Sequence, residues 1–315
     1  TGHPWITFKD PSNIRYSNKH VGVVHSSNLC TEILLHTKPS VYDEGVIVDK
    51  GETAVCNLAS INLANHLKVR SIDWKELAKT VDIAVRGLDN VIDLNFYPTK
   101  EAKVSNTKNR PVGLGIMGTH DMLHSLNIPY ESKEAVEICG KVQEFISYCA
   151  IKASCLLAKE KSSYPVFGGS EWDRGNLPID TYCRLMNTRE GTKKHKAADF
   201  ETVEALKRVD GDISALSLED DLQKEFKTAF DVDYKIIIDA AAERQKWIDM
   251  GQSLNLYNKH DSLKHMNDIY MYAWKMGLKT TYYLRGKAAT RLEKSTVDSS
   301  PTACSIADPD CESCQ

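Results

Sequence analysis

Residues 27–32, Ser-Asn-Leu-Cys-Thr-Glu, place an amide, a thiol and a carboxylate within five positions. Asn28, Cys30 and Glu32 alternate by two, so an extended strand would project all three to one face. A carboxylate beside a thiol disfavours thiolate chemistry. The pattern instead suits a thiol that carries a hydrogen atom while Glu32 removes a proton from a substrate. The alternative is a half-buried strand with incidental polar residues, and the spacing alone favours that alternative.

A second pair of thiols, Cys311 and Cys314, lies at the end of the sequence. Residues 294–315 contain almost nothing apolar, so they cannot repay the entropy of ordering and are predicted to form a flexible tail. Two thiols on such a tether suit disulfide exchange. A zinc site would need two more ligands, and Cys304 supplies at most one, so no metal site is predicted.

Three further residues carry side chains that could do thiol or radical chemistry. Cys56 lies in a strand-like run and, taken alone, is typical of a core cysteine. Tyr282 and Tyr283 are adjacent in the strand-like segment 278–284, where neighbours face opposite sides of a sheet. Tyrosine is also a side chain that can be oxidised to a radical in proteins. A role in a sheet and a role in redox chemistry both stay open for this pair.

The remaining cysteines indicate the compartment more than the chemistry. The sequence has nine cysteines and no signal peptide, which argues for a reducing, cytoplasmic environment with mostly free thiols. Cys139, Cys149 and Cys155 lie among apolar residues on a helical pattern and are predicted to be buried. Cys183 is either buried in the same way or a surface thiol.

The composition indicates a soluble globular chain, with 42% hydrophobic and 26% charged residues among 315. A formal net charge of −3 gives no electrostatic footprint for a nucleic-acid polymer. No stretch reaches the length of a membrane span. Because the sequence begins at Thr1 rather than Met, we expect a processed product or a piece of a longer chain.

Hydrophobic periodicity predicts alternating helices and strands, and therefore an α/β fold. Helices are predicted at 71–94, with Asp73 as a cap, and at 132–158, 218–250 and 269–276, with strands at 110–118 and 278–284. The glycines of 110–118 have the wrong spacing for a dinucleotide-binding fingerprint, so close backbone packing is expected there. Residues 187–212 are polar and lysine-rich and are predicted to be a connector or a loop.

These segments closely resemble the large, catalytic subunit of class I ribonucleotide reductase. The resemblance is carried by 27–32, by Ala-Val-Cys-Asn-Leu-Ala-Ser at 54–60, by Arg-Pro-Val-Gly-Leu-Gly-Ile-Met-Gly at 110–118, by 242–257 and 277–285, and by the cysteine tail. It runs nearly end to end but covers only the C-terminal half of the family's chain. It implies part of a ten-stranded α/β barrel, followed by a C-terminal α+β region and a flexible tail.

The resemblance implies a role for each residue of the first segment. Cys30 matches the cysteine that becomes a thiyl radical and takes the substrate's 3′ hydrogen. Glu32 matches the base for the 3′ hydroxyl, Asn28 matches the amide that hydrogen-bonds the ribose hydroxyls, and Ser27 belongs to the same substrate-binding loop. The substrate is then expected to be a ribonucleoside diphosphate, reduced to the deoxyribonucleotide.

The resemblance also implies a supply of radicals and electrons. Tyr282 and Tyr283 match a stacked pair that relays the radical from a metal-containing small subunit, so no cofactor is expected to bind the chain directly. Cys56 matches one member of the dithiol that supplies electrons for loss of the 2′ hydroxyl. Cys311 and Cys314 match the tail dithiol, which reduces the active-site disulfide and is itself reduced by thioredoxin or glutaredoxin.

Two departures from the family lead to the predicted organisation. The family's N-terminal half has no counterpart, so a complementary piece is expected to supply it and the chain alone is expected to be inactive. A phosphate-binding loop, expected within 177–218, has no match. The predicted units are a partial barrel at 1–186, a polar connector at 187–212 replacing that loop, a helical and strand region at 213–293 and the redox tail at 294–315.

Three functions remain open. The first is the C-terminal portion of a reductase large subunit that acts with its complement and a small subunit. The second is a non-catalytic remnant that binds reductase subunits. The third is a thiol-disulfide carrier that uses Cys311 and Cys314, although such carriers normally hold their dithiol at a helix N-terminus.

Overall fold

The computed structural model describes residues 5–189, 229–260 and 262–286. Most of the predicted connector, residues 218–228 of the helix predicted at 218–250, and the tail with Cys304, Cys311 and Cys314 lie outside the described residues. Within the described ranges the chain is a mixed α/β structure.

The elements are short strands and longer helices. The helices are α1 (Lys9–Ile14), α2 (Trp74–Leu94), α3 (Lys100–Asn109), α4 (Thr119–Leu126), α5 (Lys133–Lys161), α6 (Pro178–Asn187), α7 (Tyr234–Gln245) and α8 (Leu263–Lys275). The strands are β1 (Ile6–Thr7), β2 (Val41–Asp43), β3 (Val46–Asp49), β4 (Asn57–Asn62), β5 (Leu67–Lys68), β6 (Ser71–Ile72), β7 (Val112–Met117), β8 (Leu256–Asn258), β9 (Thr280–Thr281) and β10 (Leu284–Gly286).

The larger core forms around α5. This helix packs against α2 on one side and α7 on the other. The core includes Leu77, Val81, Met122, Ile138 and Ile146, each no more than 5% exposed. Each such side chain contributes roughly 1.5–3 kcal/mol by leaving water. A second core joins α7 and α8 to β8 and β10. Together the two cores fix the frame that carries the site.

The strands pair only two by two within the described ranges. Strand β4 pairs with β7 in parallel, β8 with β10 in parallel, and β1 with β9, β2 with β3 and β5 with β6 in antiparallel. Leu58 on β4 and Met117 on β7 are 58% and 52% exposed. Parallel strands are normally covered on both faces, so this pair presents a face on which further elements would pack. The described residues therefore form no closed barrel.

Several predicted elements are confirmed. Helix α2 begins after Asp73, whose side chain accepts the Glu76 N–H, and α5 begins after Ser132, whose side chain accepts the Ala135 N–H. Strand β7 occupies most of 110–118, and its glycine serves close packing as expected. A Cβ on Gly113 would lie 2.4 Å from the Leu58 side chain.

Two predicted elements are wrong in part. Residues 229–233 of the helix predicted at 218–250 are not helical, and α7 ends at Gln245. Arg15 explains this end, because its Nη2 donates to the carbonyls of Gln245 and Ile248, at 2.8 and 2.9 Å. The single strand predicted at 278–284 is two short strands, interrupted at 282–283.

The predicted burial of the cysteines also needs one correction. Cys139 is buried as expected and Cys149 is half-buried, but Cys155 is exposed although it was predicted to be buried. It lies on the side of α5 that lines an open cavity, which helical spacing of neighbouring apolar residues did not distinguish from the packed side. Cys183 is a surface thiol.

Candidate functional site

Residues 27–32 form a turn rather than the extended strand expected from their spacing. The Thr31 N–H bonds the Asn28 carbonyl at 3.1 Å, and Thr31 has a φ of +64°. The Asn28 side-chain oxygen accepts the Ile33 N–H at 3.1 Å, a local bond that competes with strand pairing. The expectation that alternation places Asn28, Cys30 and Glu32 on one strand face is therefore wrong.

The turn nevertheless brings the amide and the carboxylate into contact. Asn28 Nδ2 donates to Glu32 Oε1 at 2.6 Å. Ser27 Oγ donates to the Ile33 carbonyl at 2.8 Å and lies 3.3 Å from Asn28 Oδ1. The second Glu32 oxygen, Oε2, accepts from Ser253 Oγ at 3.2 Å. The carboxylate is thus held by one donor at each oxygen.

The thiol of this turn contacts a tyrosine rather than the carboxylate. Cys30 Sγ lies 3.6 Å from Tyr282 Oη. The rings of Tyr282 and Tyr283 have centroids 4.1 Å apart, with a tilt of 42°. Hydrogen bonds with Tyr283 and with Cys30 raise the pKa of Tyr282, so the phenol keeps its proton. The three side chains form one continuous contact chain.

The tyrosines meet because they lie between strands rather than within one. The Tyr282 N–H bonds the Leu254 carbonyl and the Leu256 N–H bonds the Tyr283 carbonyl, both at 2.8 Å. The alternation of a strand is therefore broken, and the expectation that neighbours face opposite sides fails here. Trp5 packs against both rings, with centroids at 6.1 and 5.9 Å, and the Arg285 guanidinium lies 5.0 Å from the centre of the Tyr283 ring.

Cys56 lies immediately before β4 and close to Gly113 of β7. Burial raises the pKa of the Cys56 thiol to about 12, and the charges of Asp249 and Glu32 add to this increase. Cys56 is therefore a protonated thiol near neutral pH. Gly113, which lies beside the Cys56 sulfur, lines the same cavity as Cys30 and Glu32.

A cavity of about 1080 Å³ adjoins these groups. Its wall includes Cys30, Glu32, Asp249 and Ser253, and the glycine-rich strand β7 forms another side. Such a volume is at the upper end of the range for small-molecule sites. Within the described ranges, no group of three or more His, Cys, Asp or Glu side chains could hold a metal ion. No helix among these residues is long and apolar enough to cross a membrane.

Sequence reasoning missed Ser253 and Asp249 as site residues. Ser253 is 221 positions from Glu32, and no periodicity relates residues that far apart. The only sequence signal for these two residues was the family resemblance of the segment 242–257. That resemblance assigned no role to any residue of the segment. Cys311 and Cys314 lie outside the described residues, so their relation to this cavity stays a prediction.

The helix in the region expected to hold a phosphate loop is closed at its positive end. The Asp180 carboxylate accepts the Leu177 N–H at the start of α6, at 2.8 Å. A carboxylate therefore already lies at this helix N-terminus, where the helix dipole favours negative charge. The rest of the expected loop region, from residue 190 onward, is beyond the described part.

Comparison with known proteins gives a consistent family. The model of the ribonucleotide reductase barrel domain matches residues 1–213 and 198–284. The chain is 43% identical over 375 residues to the ribonucleoside-diphosphate reductase subunit alpha of Chlamydia trachomatis serovar D, covering 95% of the chain and 35% of the relative. It is 35% identical to the alpha subunit of Helicobacter pylori strain 26695 and 30% identical to the large chain of Schizosaccharomyces pombe, covering 49% and 44% of them. The chain thus spans about a third to a half of these relatives.

Proposed function

Since the chain belongs to the ribonucleotide reductase barrel-domain family, we propose that it is the C-terminal portion of a ribonucleoside-diphosphate reductase large subunit. Its reaction is the radical-based reduction of a ribonucleoside diphosphate to the deoxyribonucleotide. The observation that carries this proposal is the contact chain from Tyr283 through Tyr282 to Cys30, which ends at the wall of a substrate-sized cavity.

The first step assigns hydrogen and proton transfer to different groups. A thiyl radical at Cys30 takes the 3′ hydrogen atom of the ribose and becomes a thiol again. Glu32 accepts the proton of the 3′ hydroxyl, and Asn28 donates to the ribose oxygens, with Ser27 supporting the turn. The separation of Cys30 from the Glu32 carboxylate by the turn supports this division, because each group can face the substrate independently.

Tyr282 and Tyr283 supply the oxidising equivalent. An electron passes from Cys30 to oxidised Tyr282, and the thiol proton moves to the phenol oxygen at 3.6 Å. Tyr283 receives the hole first, from a radical held by a small subunit. The radical therefore needs no cofactor bound to this chain; the metal belongs to the small subunit.

Cys56 supplies electrons in the second half of the reaction. The 2′ hydroxyl leaves as water with a proton from one thiol, C2′ receives the hydrogen of the other, and the two thiols become one disulfide. Cys30 then returns its hydrogen atom to C3′ and is again a thiyl radical. The raised pKa of Cys56, about 12, keeps the proton on its sulfur until the 2′ hydroxyl leaves. The second thiol is expected in the part of the large subunit that precedes residue 1 in the relatives. Cys311 and Cys314 then reduce the disulfide and are recharged by thioredoxin or glutaredoxin.

The same preceding part completes the ten-stranded barrel. The exposed face of β4 and β7 supports this, because elements packed on that face would shield Leu58 and Met117 from water. The proposal divides the chain into a partial barrel at 1–186, a polar connector at 187–212, a helical and strand region at 213–293 and a redox tail at 294–315. The alignment with the Chlamydia relative is longer than the chain, and the two family matches meet at 198–213, which supports a shortened connector.

The test removes the single hydroxyl that carries the proposal. The chain, its complementary large-subunit part and a small subunit are assayed for reduction of cytidine diphosphate with dithiothreitol. Tyr282→Phe is expected to reduce turnover by at least about 10³-fold, since it removes the only proton acceptor in contact with Cys30 among the described residues. Tyr42→Phe is the matched control, because Tyr42 is exposed on β2 and is not part of the cavity wall. Full activity of Tyr282→Phe would overturn the proposed relay.

A non-catalytic remnant that binds reductase subunits is the second candidate. The capping of α6 by Asp180 favours it, because a carboxylate at this helix end disfavours a second negative charge there. In that case the chain would bind the small subunit and the complementary part, as measured by analytical ultracentrifugation, while cytidine diphosphate would show no saturable binding to the assembly.

A further inference from the structure

Residues 251–254 lie between the two halves of the proposed site. The Gly251 N–H donates to the Glu32 carbonyl at 3.0 Å, and three residues later the Leu254 carbonyl accepts the Tyr282 N–H at 2.8 Å. One short segment is therefore hydrogen-bonded both to the residue that carries the base and to the residue that contacts Cys30. We call residues 251–254 the brace.

The brace also contacts the catalytic carboxylate itself. Ser253 Oγ donates to Glu32 Oε2 at 3.2 Å, while Asn28 Nδ2 donates to Oε1 at 2.6 Å. A carboxylate with a donor on only one oxygen can rotate about its last bond, because terminal bonds of this kind are only weakly restricted. A second donor at the opposite oxygen fixes the plane of the group.

The brace is held rigidly against β9. Thr280 Oγ1 accepts the Gln252 N–H at 3.2 Å and donates to the Gln252 carbonyl at 3.0 Å. Gly251 fills a space too small for any side chain, because a Cβ there would lie 2.4 Å from the Thr31 carbonyl oxygen and 2.7 Å from Thr280 Oγ1. The position of Ser253 is thus set by the main chain on its N-terminal side.

We propose that Ser253 is a positioning residue, which holds the Glu32 carboxylate in a fixed orientation relative to Cys30 and Tyr282. This inference rests on the proposed function, in which Glu32 is the base. Its content is additional: the orientation of the base is set by a residue 221 positions away, on the segment that also anchors the tyrosine. The brace therefore fixes the position of the base, Glu32, relative to Tyr282 of the radical relay.

The consequence is a loss of rate rather than of binding. Without the Ser253 hydroxyl, Glu32 keeps the bond from Asn28 and remains in the cavity wall, but its second oxygen is no longer fixed. The proton of the substrate hydroxyl would meet a correctly placed oxygen less often. Since Ser253 is exposed at the wall, its truncation buries no unpaired group and leaves the fold intact.

The kinetic test compares three variants of the assembled reductase with cytidine diphosphate as substrate. Ser253→Ala is expected to lower kcat about tenfold with KM unchanged, the size expected for one hydrogen bond to a charged group. Ser253→Thr retains the hydroxyl and is expected to restore most of kcat. Glu32→Gln is expected to remove turnover altogether. Activity in Glu32→Gln would refute the assigned base, and therefore the proposed function, without reference to Ser253.

The other outcomes concern Ser253 alone. Wild-type kcat in Ser253→Ala, together with an inactive Glu32→Gln, would overturn the positioning role and leave the function standing. A raised KM with unchanged kcat would show that Ser253 binds substrate instead, which also overturns it. Equal loss in the alanine and threonine variants would mean that the hydroxyl is not the group that matters.

A spectroscopic test needs no turnover. In the full chain labelled with ¹³C at glutamate Cδ, the Glu32 signal is assigned as the one missing in Glu32→Gln. Its chemical shift is expected to move in Ser253→Ala and to return in Ser253→Thr, because a donor at Oε2 changes the electron density of the carboxylate. A signal that stays at the same position in Ser253→Ala would overturn the proposed contact.

Discussion

The two cysteines of the proposed reaction, Cys30 and Cys56, are held by different kinds of structure. Cys30 lies on a turn whose contacts come from remote segments, namely the brace and Tyr282. Cys56 lies immediately before β4, whose register with β7 is fixed along six residue pairs. The turn of Cys30 is assembled from loops, whereas Cys56 is attached to regular structure, and desolvation of its thiol raises its pKa.

This difference matches the chemistry proposed for each thiol. A thiol that exchanges a hydrogen atom must touch the group that oxidises it, and Cys30 Sγ lies 3.6 Å from Tyr282 Oη. A thiol that supplies a proton and electrons must stay protonated until its step, and burial with two nearby carboxylates keeps Cys56 so. Contact with Tyr282 determines which group can oxidise Cys30, and desolvation determines the protonation state of Cys56.

The largest effect is expected from exchanging sulfur for oxygen at Cys30. In the assembled reductase, Cys30→Ser is expected to lower deoxycytidine diphosphate formation by about 10³-fold or more, because the hydroxyl bond is too strong for the radical carrier. Binding of cytidine diphosphate, measured by equilibrium dialysis, is expected to change little, since the side chain keeps nearly the same size.

Cys56→Ser is the comparison variant for this prediction. It blocks the electron supply rather than the hydrogen abstraction, so exchange of the substrate's 3′ hydrogen is expected to continue while product formation stops. Appreciable product from Cys30→Ser, or loss of that exchange in Cys56→Ser, would contradict the division of roles between the two thiols.

The two regions also differ in how well the sequence predicted them. The strand containing 112–117 and the caps at Asp73 and Ser132 follow from local rules, because apolar runs and capping side chains act within a few residues. The turn at Cys30 does not, since alternation by two is also compatible with a turn in which Asn28 bonds its own backbone. The contact between Ser253 and Glu32 joins positions too distant for any local rule. Resemblance named Cys30, Glu32 and the tyrosines, and the structure brings these residues together.

The next effect concerns delivery of electrons to Cys56. Replacing both Cys311 and Cys314 by serine is expected to reduce turnover driven by thioredoxin on the order of 10²-fold, because a tethered dithiol acts at high effective concentration. Turnover driven by dithiothreitol is expected to be spared, since this small dithiol can diffuse into the cavity. Equal losses with both reductants would contradict the shuttle role of the tail.

A smaller effect is expected on the stability of the fold when Arg15 is replaced. Arg15 is fully buried and donates to the carbonyls of Pro178, Gln245 and Ile248. In Arg15→Met the Pro178 carbonyl keeps the Thr181 hydroxyl and the Ile248 carbonyl keeps the Gln245 side-chain amide, whereas the Gln245 carbonyl loses its Arg15 donor. The variant is expected to lower the free energy of unfolding by about 2 kcal/mol, measured by urea denaturation. Arg86→Met, which removes an exposed pair with Glu160, is the control and is expected to change little. An equal, small change in both variants would mean that Arg15 does not support this region.

The smallest effect tests the desolvation of Cys56 itself. Alkylation requires the thiolate, and a pKa of about 12 leaves only about 10⁻⁴ of Cys56 in that form at pH 8, so the rate is expected to rise about tenfold per pH unit between pH 8 and 10. Asp249→Asn removes one of the charges that raise this pKa, so the pKa falls and alkylation at pH 8 is expected to accelerate about twofold to fivefold. Rates are measured by iodoacetamide labelling and peptide mass spectrometry, with the exposed Cys183 as the internal reference. Cys56 labelling as fast as Cys183 at pH 8, or unaffected by Asp249→Asn, would mean that burial and charge do not hold the proton on this sulfur, and the contrast with Cys30 would then rest on contact alone.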